Sequence, residues 1–263
     1  MKLEILLSCM HQKDMSLVAQ SRITGDVLMI NQCDREGCSE APTQQGRAIM
    51  LSTCERGLTR SRNMAIRSST ADICLLSDDD EVFVPGYEER ILEAYAQLPQ
   101  ADVIILKAVN RPKSFEDRVQ RLRFPQTMKV SSWQISFKRE SLNRTGIRFD
   151  ELLGSGTGNG AEEELKFLLD CQRAGLEIWY VPVEIASVAQ QKSQWFQGYD
   201  RQFFYNRGAT TRYILGAVPA LAYGVYYVAR KRSLYRGQLT PLQALGAILR
   251  GIMENKITKQ AKR

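Results

Sequence analysis

The chain has 263 residues, 44% hydrophobic and 25% charged, a composition that excludes intrinsic disorder and fibrous repeats and suffices for one large α/β domain or two small ones. Its net charge of +7 is uneven: residues 201–263 hold twelve basic residues and one acid, which is +11 and leaves about −4 on the first 200. A soluble domain with a basic end that seeks phosphates, of nucleic acid or of an anionic membrane, fits that split.

The opening Met1–Leu7 carries Glu4 inside its apolar stretch and has no small-residue cleavage site nearby, so it is expected to be a first strand and not a signal peptide. The apolar runs Leu3–Cys9, Val27–Asn31, Ala48–Leu51, Ile73–Leu76 and Val103–Ala108 predict buried strands. Helical periodicity lies between them, at Met15–Ser21, Thr59–Ser68 and Glu88–Leu98. Strand and helix alternating in this way predict a mainly parallel sheet with helices on both faces, whose ligands bind beyond the carboxyl ends of the strands. After Ala108 the pattern becomes a polar segment, then an edge strand at Val130–Phe137 and the glycine-rich stretch Gly154–Gly160. A helix over 161–173 and a strand over Ile178–Val183 follow.

Near the end, Tyr213–Ala229 runs without a charge and is followed at once by Arg230-Lys231-Arg232. It is shorter than the ~20 residues of a bilayer span. Leu242–Met253 predicts an amphipathic helix flanked by basic residues. Two readings fit: interfacial helices lying on an anionic leaflet, or a helical subdomain packed on its own chain. The six cysteines show no C-x-x-C pair and His11 is the single histidine, so no zinc-site spacing is present. Several sit in apolar runs, which suggests reduced thiols in a cytosolic compartment.

Chemistry concentrates at Ser77-Asp78-Asp79-Asp80-Glu81, where four acids directly follow a buried strand. Crowded carboxylates repel unless a cation neutralises them. Mg2+ or Mn2+ held by one or two of them and by substrate phosphates is one solution, and a solvated acidic turn capping the next helix is the other. A second cluster, Glu162-Glu163-Glu164, opens the helix after the glycines. Either the helix dipole holds it there, or one glutamate faces the cleft as a general base while the glycines let a loop close over substrate. In Gly57-Leu58-Thr59-Arg60-Ser61-Arg62-Asn63, Arg60 or Arg62 can meet a phosphate near the helix start, or both are solvated.

In this order the pieces resemble the inverting family 2 glycosyltransferases of the GT-A fold, especially bacterial enzymes of capsule and cell-surface polysaccharide assembly. The likeness is carried by Ser8-Cys9-Met10 with Ile30-Asn31-Gln32-Cys33-Asp34, by Gly57–Asn63, by Ser77-Asp78-Asp79-Asp80, by Gly160–Leu168, and by Ser193–Tyr199 with Arg207-Gly208-Ala209. It covers about residues 1–210 and implies an α/β GT-A fold, a mainly parallel Rossmann-like sheet flanked by helices. The catalytic domain would be 1–210, with a nucleotide-sugar half at 1–108 and an acceptor half at 109–210. Residues 211–263 would form a basic, helical, membrane-associating extension.

The resemblance further implies that Asp80, with Asp78, binds Mn2+ or Mg2+ bridging a donor diphosphate of UDP or dTDP type. Asp78 and Asp79 would hold the sugar or ribose, and Asn31, Gln32, Asp34, Arg60 and Asn63 would lie near the nucleotide. Glu164 is the first choice for the base and Glu163 the second, because the acidic motif is one residue longer than the family's usual pattern. Trp195 would be an acceptor platform, if it is not a core indole. Many relatives carry a metal-binding histidine after the strand ending at Val183, where this chain has Ile185-Ala186-Ser187-Val188-Ala189. The implied partners are a nucleotide sugar, a glycan or lipid-linked acceptor and the anionic inner leaflet, with the protein cytoplasmic and peripheral. Nucleic acid is not expected, since the basic end is helical and apolar without interleaved aromatic and basic residues on a sheet face. Two alternatives are a nucleotidyltransferase, against which stands the lack of glycine in Ser8–Asp14, and an inactive membrane-associated scaffold of the same fold.

Overall fold

The structure, a computed structural model, describes residues 1–110, 115–160, 162–189 and 198–261. Two compact units divide the chain: Met1–Phe149 with Glu164–Gln191, and Asp150–Glu163 with Lys192–Arg263.

The first unit runs β1 (Leu3–Met10), α1 (Ser16–Gln20), β2 (Asp26–Gln32), β3 (Gly37–Pro42), β4 (Arg47–Thr53), α2 (Leu58–Ser68), β5 (Ile73–Asp78), β6 (Glu81–Phe83), α3 (Tyr87–Gln97) and β7 (Val103–Ala108). It continues through β8 (Gln120–Arg121), β9 (Ile135–Lys138), α4 (Arg139–Thr145), α5 (Glu163–Arg173, whose first residue belongs to the second unit) and β10 (Ile178–Val188). Among the described residues the sheet has ten strands in the order β3-β4-β2-β1-β5-β9-β7-β10-β6, with β8 against β10. Pairing is parallel across β4-β2-β1-β5 and between β7 and β10, while β3, β6, β8 and β9 run antiparallel to their neighbours.

Continuous apolar runs form the parallel strands because both faces of the sheet are covered. Alternate residues of one strand enter different cores: Ile5 and Leu7 join Tyr87 and Ile91 on one side, and Leu6 joins Ile66, Phe167 and Leu168 on the other. The expected edge strand at Val130–Phe137 is corrected. Short 3-10 turns occupy Gln126–Lys129 and Ser132–Gln134, and β9 lies in the interior of the sheet between β5 and β7. There Tyr95 and Ser136 share a buried hydroxyl contact of 3.1 Å, so its polar residue is satisfied within the core.

The second unit contains the glycine-rich segment and α6 (Arg201–Leu215), α7 (Ala217–Arg230), α8 (Arg232–Tyr235), α9 (Pro241–Glu254) and α10 (Lys256–Ala261). The uncharged run Tyr213–Ala229 is two helices, broken at Gly216, whose φ of 88° is a conformation that residues with a Cβ rarely adopt. Helix α6 passes through residue 210 unbroken. Gly208 and Gly251 let α6 and α9 touch backbone to backbone: a Cβ on Gly208 would stand 2.2 Å from the Ile248 carbonyl oxygen. Among the described residues no helix is long and apolar enough to cross a membrane.

Glu4 sits buried in β1, with one carboxylate oxygen lacking a hydrogen-bond partner among the described residues. Burial pushes its carboxyl above the ordinary value of 4.5, against a hydrogen bond from Ser69 and with the help of the Asp26 charge. The folded state therefore binds this proton more tightly than the unfolded chain, and the group's contribution to stability falls as pH rises through and above that value. Glu4→Gln should gain on the parent protein in urea unfolding as pH rises through and above the ordinary carboxylate value. A difference independent of pH would refute the assignment.

Candidate active site

Register aligns the polar carboxyl ends of the four parallel strands. Ser52 of β4 lies beside Asn31 of β2, Asn31 beside Cys9 of β1, and Ser8 of β1 beside Asp78 of β5. Loops after these strands depend on the polar residues for their shape. The buried Asn31 amide accepts from the Gln12 N–H at 2.9 Å and donates to the Gln12 carbonyl at 2.9 Å, fixing the loop after β1. Gln32 accepts from the Gly57 N–H at 2.7 Å and so places the start of α2. Gly57 has φ 120°, which explains a glycine there. Asp34, exposed, pairs with Arg56 at 2.5 Å.

Helix α2 buries a polar face. Asn63 clamps Phe149 by accepting from its N–H at 2.8 Å and donating to its carbonyl at 2.9 Å. Arg60 is exposed, whereas Arg62 has only 2% of its side chain accessible. Two residues apart on a helix, they point to opposite sides. The Arg62 guanidinium lies 3.1 Å and 3.4 Å from the Asp78 carboxylate oxygens, 3.8 Å from Glu164 Oε1 and 5.4 Å from the centre of the Phe149 ring. Phe149 in turn stacks on Phe167 of α5 at 4.3 Å. The choice between Arg60 and Arg62 thus divides: Arg62 is neither solvated nor exposed, and it joins the two acidic motifs that the sequence shows 86 positions apart at residues 78 and 164.

The four acids after β5 have four environments. Asp78 accepts from Arg62 and from the Ser132 hydroxyl at 2.9 Å. Asp79 reaches solvent, yet the protein crowding its carboxyl, with the Asp78 charge, raises its pKa above the ordinary 3.8. The Asp80 carbonyl accepts from the Ala189 N–H at 2.8 Å, and β6 pairs with Ala186–Val188 of β10, so the end of β10 abuts the turn. Glu81 is fully buried, accepts from the Asp78 N–H at 3.0 Å and from the Ser77 hydroxyl, and burial with the Asp78 charge pushes its carboxyl well above the ordinary 4.5. It closes the turn as an internal carboxyl, a role invisible in a run of four identical-looking acids.

No group of three or more His, Cys, Asp or Glu side chains able to hold a metal gathers among the described residues. The donor set instead suits Mg2+ or Mn2+ of the kind held by one or two carboxylates with water and phosphate oxygens completing the shell. Asp80 is half-buried beside the exposed Asp79, and carboxylate oxygens are hard donors that match hard cations.

The second acidic cluster also divides. Glu164 faces Arg62, and Glu163 is buried at the start of α5. Glu162, in the left-handed region at φ 86°, pairs with Arg207 of α6 at 2.6 Å. The ends of the glycine-rich segment are held together: the Gly154 N–H donates to the Gly160 carbonyl at 2.8 Å, and Thr210 donates to the Asn159 carbonyl at 2.7 Å. Trp195 lies outside the described residues.

The family model of Glycosyl transferase family 2 matches residues 16–153. The chain belongs to this family. The matched region takes this glycosyltransferase from α1 past the Asp78–Asp80 turn and stops short of Glu163 and Glu164. Crystal structures of S. aureus TarS 1–349 are similar to it: the complex with UDP has a TM-score of 0.59 at 13% identity, over 98% of this chain and 82% of that one. The complex with UDP-GlcNAc has a TM-score of 0.55 at 13% identity, over 98% and 73%. The mannosyltransferase PcManGT from Pyrobaculum calidifontis in complex with GDP-Man and Mn2+ has a TM-score of 0.50 at 13% identity, over 97% and 87%. At these identities the likeness establishes a shared GT-A-like fold. No curated protein matches the chain.

Replacing Arg62 by Met removes the cation between two carboxylates. Stability should fall by about 2–4 kcal/mol in urea unfolding, below the upper end for a buried pair because Asp78 keeps contact with water. A loss under about 1 kcal/mol would show that Asp78 and Glu164 do not depend on the guanidinium.

Proposed function

We propose that this glycosyltransferase moves a sugar, with inversion, from a nucleoside diphosphate donor of UDP or dTDP type to a hydroxyl of a glycan or lipid-linked oligosaccharide in cell-surface polysaccharide assembly. One observation carries the proposal: Asp78, at the carboxylate turn that ends β5, and Glu164, from the first turn of α5, converge on the buried guanidinium of Arg62. A donor-binding acid and a candidate base are thereby held in one site on fixed elements, as a two-substrate displacement requires.

In this proposal Asp80 is the carboxylate that holds Mn2+ or Mg2+, with Asp78 turned toward Arg62 and the Ser132 hydroxyl. When bound, such an ion would neutralise charge on the leaving diphosphate. Asp79 and Asp78 accept hydrogen bonds from ribose or sugar hydroxyls. Asn31, Gln32 and Asn63 shape the nucleotide site through the backbone they pin, while Asp34 and the exposed Arg60 present side chains to it. Glu164 takes the proton of the acceptor hydroxyl as that oxygen attacks the anomeric carbon from the face opposite the leaving group. Glu163 is the second choice, since it is buried at the helix start. Trp195 would stack on an acceptor sugar.

Residues 1–108 form the donor half and 109–210 the acceptor half, and α6 carries the chain unbroken into the basic end, residues 211–263. That end would hold the enzyme at the anionic inner leaflet, where lipid-linked acceptors reside, on the cytoplasmic side. Support comes from the charge of residues 201–263, with Glu254 the lone acid against twelve basic residues.

Calorimetric titration of UDP and dTDP, with and without Mn2+, tests the donor site. Binding should require Mn2+ and vanish in Asp80→Asn; equal binding in parent and variant would remove Asp80 from the site. Glu164→Gln should lower turnover by about 10²–10⁴-fold while nucleotide affinity stays within about twofold. Undiminished turnover would reject the base.

A further inference from the structure

Helix α7 is apolar on both sides. Its inward face, Ala220, Gly224, Tyr227 and Val228, is buried, and a Cβ on Gly224 would stand 2.7 Å from Ile248 Cγ2, so α9 occupies that side closely. The opposite face should be polar in a helix that borders water. Instead Val218 is 79% exposed, Leu221 45%, Val225 51% and Tyr226 57%, at i, i+3, i+7 and i+8 along one side. No charged residue interrupts α7 before Arg230. At its end Arg230, Lys231 and Arg232 are all exposed.

We infer that this outer face of α7, with the Arg230–Arg232 cluster, docks on an anionic lipid surface; the inference rests on the membrane reading above and assigns it a surface. Two features select lipid as the occupant. The first is charge: a basic cluster without a neighbouring acid on α7 or α8 complements anionic headgroups, each Lys or Arg strengthening attachment. The second is length. Fourteen residues span about 21 Å as α-helix, short of the ~30 Å hydrocarbon core, so α7 suits lying in the interface with its apolar side chains immersed and Tyr226 at headgroup level.

Cosedimentation of the full chain with vesicles of phosphatidylcholine alone, or mixed with phosphatidylglycerol, decides the matter. Parent protein should bind the mixed vesicles and lose binding in high salt. Arg230→Glu with Arg232→Glu should weaken binding by about tenfold or more. Val218→Gln, Leu221→Gln and Val225→Gln together should do the same at low salt. These side chains are exposed, so circular dichroism and UDP binding should be unchanged in every variant, which separates this outcome from failure of the glycosyltransferase site. If the parent binds no vesicle, membrane attachment itself is refuted. If the parent binds and both variants bind equally well, another surface attaches and the assignment to α7 falls. If the triple variant instead turns a dimer into a monomer by sedimentation velocity while vesicle binding persists, a second copy covers this face and the inference is overturned.

Discussion

A guanidinium shut away from water must be matched by charge and π-electron density from its own protein, and Arg62 imposes that condition on the first unit. Asp78 ends β5, Glu164 begins the unit's part of α5, and Phe149 precedes the glycine-rich segment; each supplies part of the match. One turn of α2 secures the arrangement twice, since the adjacent Asn63 grips the Phe149 backbone by both its N–H and its carbonyl. Such buried ion pairs contribute little net stability compared with apolar packing, but they penalise every arrangement in which one partner strays. Positioning acidic groups within a fraction of an ångström is the property a transfer site needs.

The carboxylate turn follows the same logic in a smaller space. Four successive acids at the end of one strand would repel, and the fold distributes them. One is neutralised by Arg62, one meets solvent under partial desolvation, one binds the end of β10 through its carbonyl, and one is buried with its carboxyl pushed toward the protonated form. The pairing of β6 with β10 turns the chain sharply after Asp80 and keeps the turn at the carboxyl end of the parallel strands. The polar residues along that end, Asn31 and Gln32 among them, spend their side chains on loop backbone and so act on the site by shaping it.

The second unit is assembled by close backbone approach. Gly208 and Gly251 remove side chains where α6 meets α9, and Gly224 does so where α7 meets α9. Its buried cation, Arg207, is held by Glu162 and the Tyr223 hydroxyl and lies 4.3 Å from the centre of the Tyr227 ring. Burial opposes the charge on Arg207, and Glu162 with the two phenols outweighs it, raising the pKa. In the 154–160 segment Gly154, Gly156, Gly158 and Gly160 take left-handed backbone in a loop whose ends are hydrogen-bonded to each other.

Much of the fold was legible because burial on both faces leaves unbroken apolar runs: β1, β2, β4, β5 and β7 each contain the run that predicted them, and Gly175 marks the end of α5. The short strands β3, β6 and β8 were not, for they are held by pairing and not by composition, and β9 reads as an edge strand because only the sheet order places it inside. The acidic motifs stood out as candidate site residues through local spacing. Which acid of each cluster faces which partner depends on direction around a turn or helix and on contacts between distant segments. Tertiary structure alone decided that Arg62 and not Arg60 enters the core, that Glu164 meets it while Glu162 turns to Arg207, and that Glu81 is an internal carboxyl. Identical residue types differ there by burial and partner, which the order of residues does not encode locally.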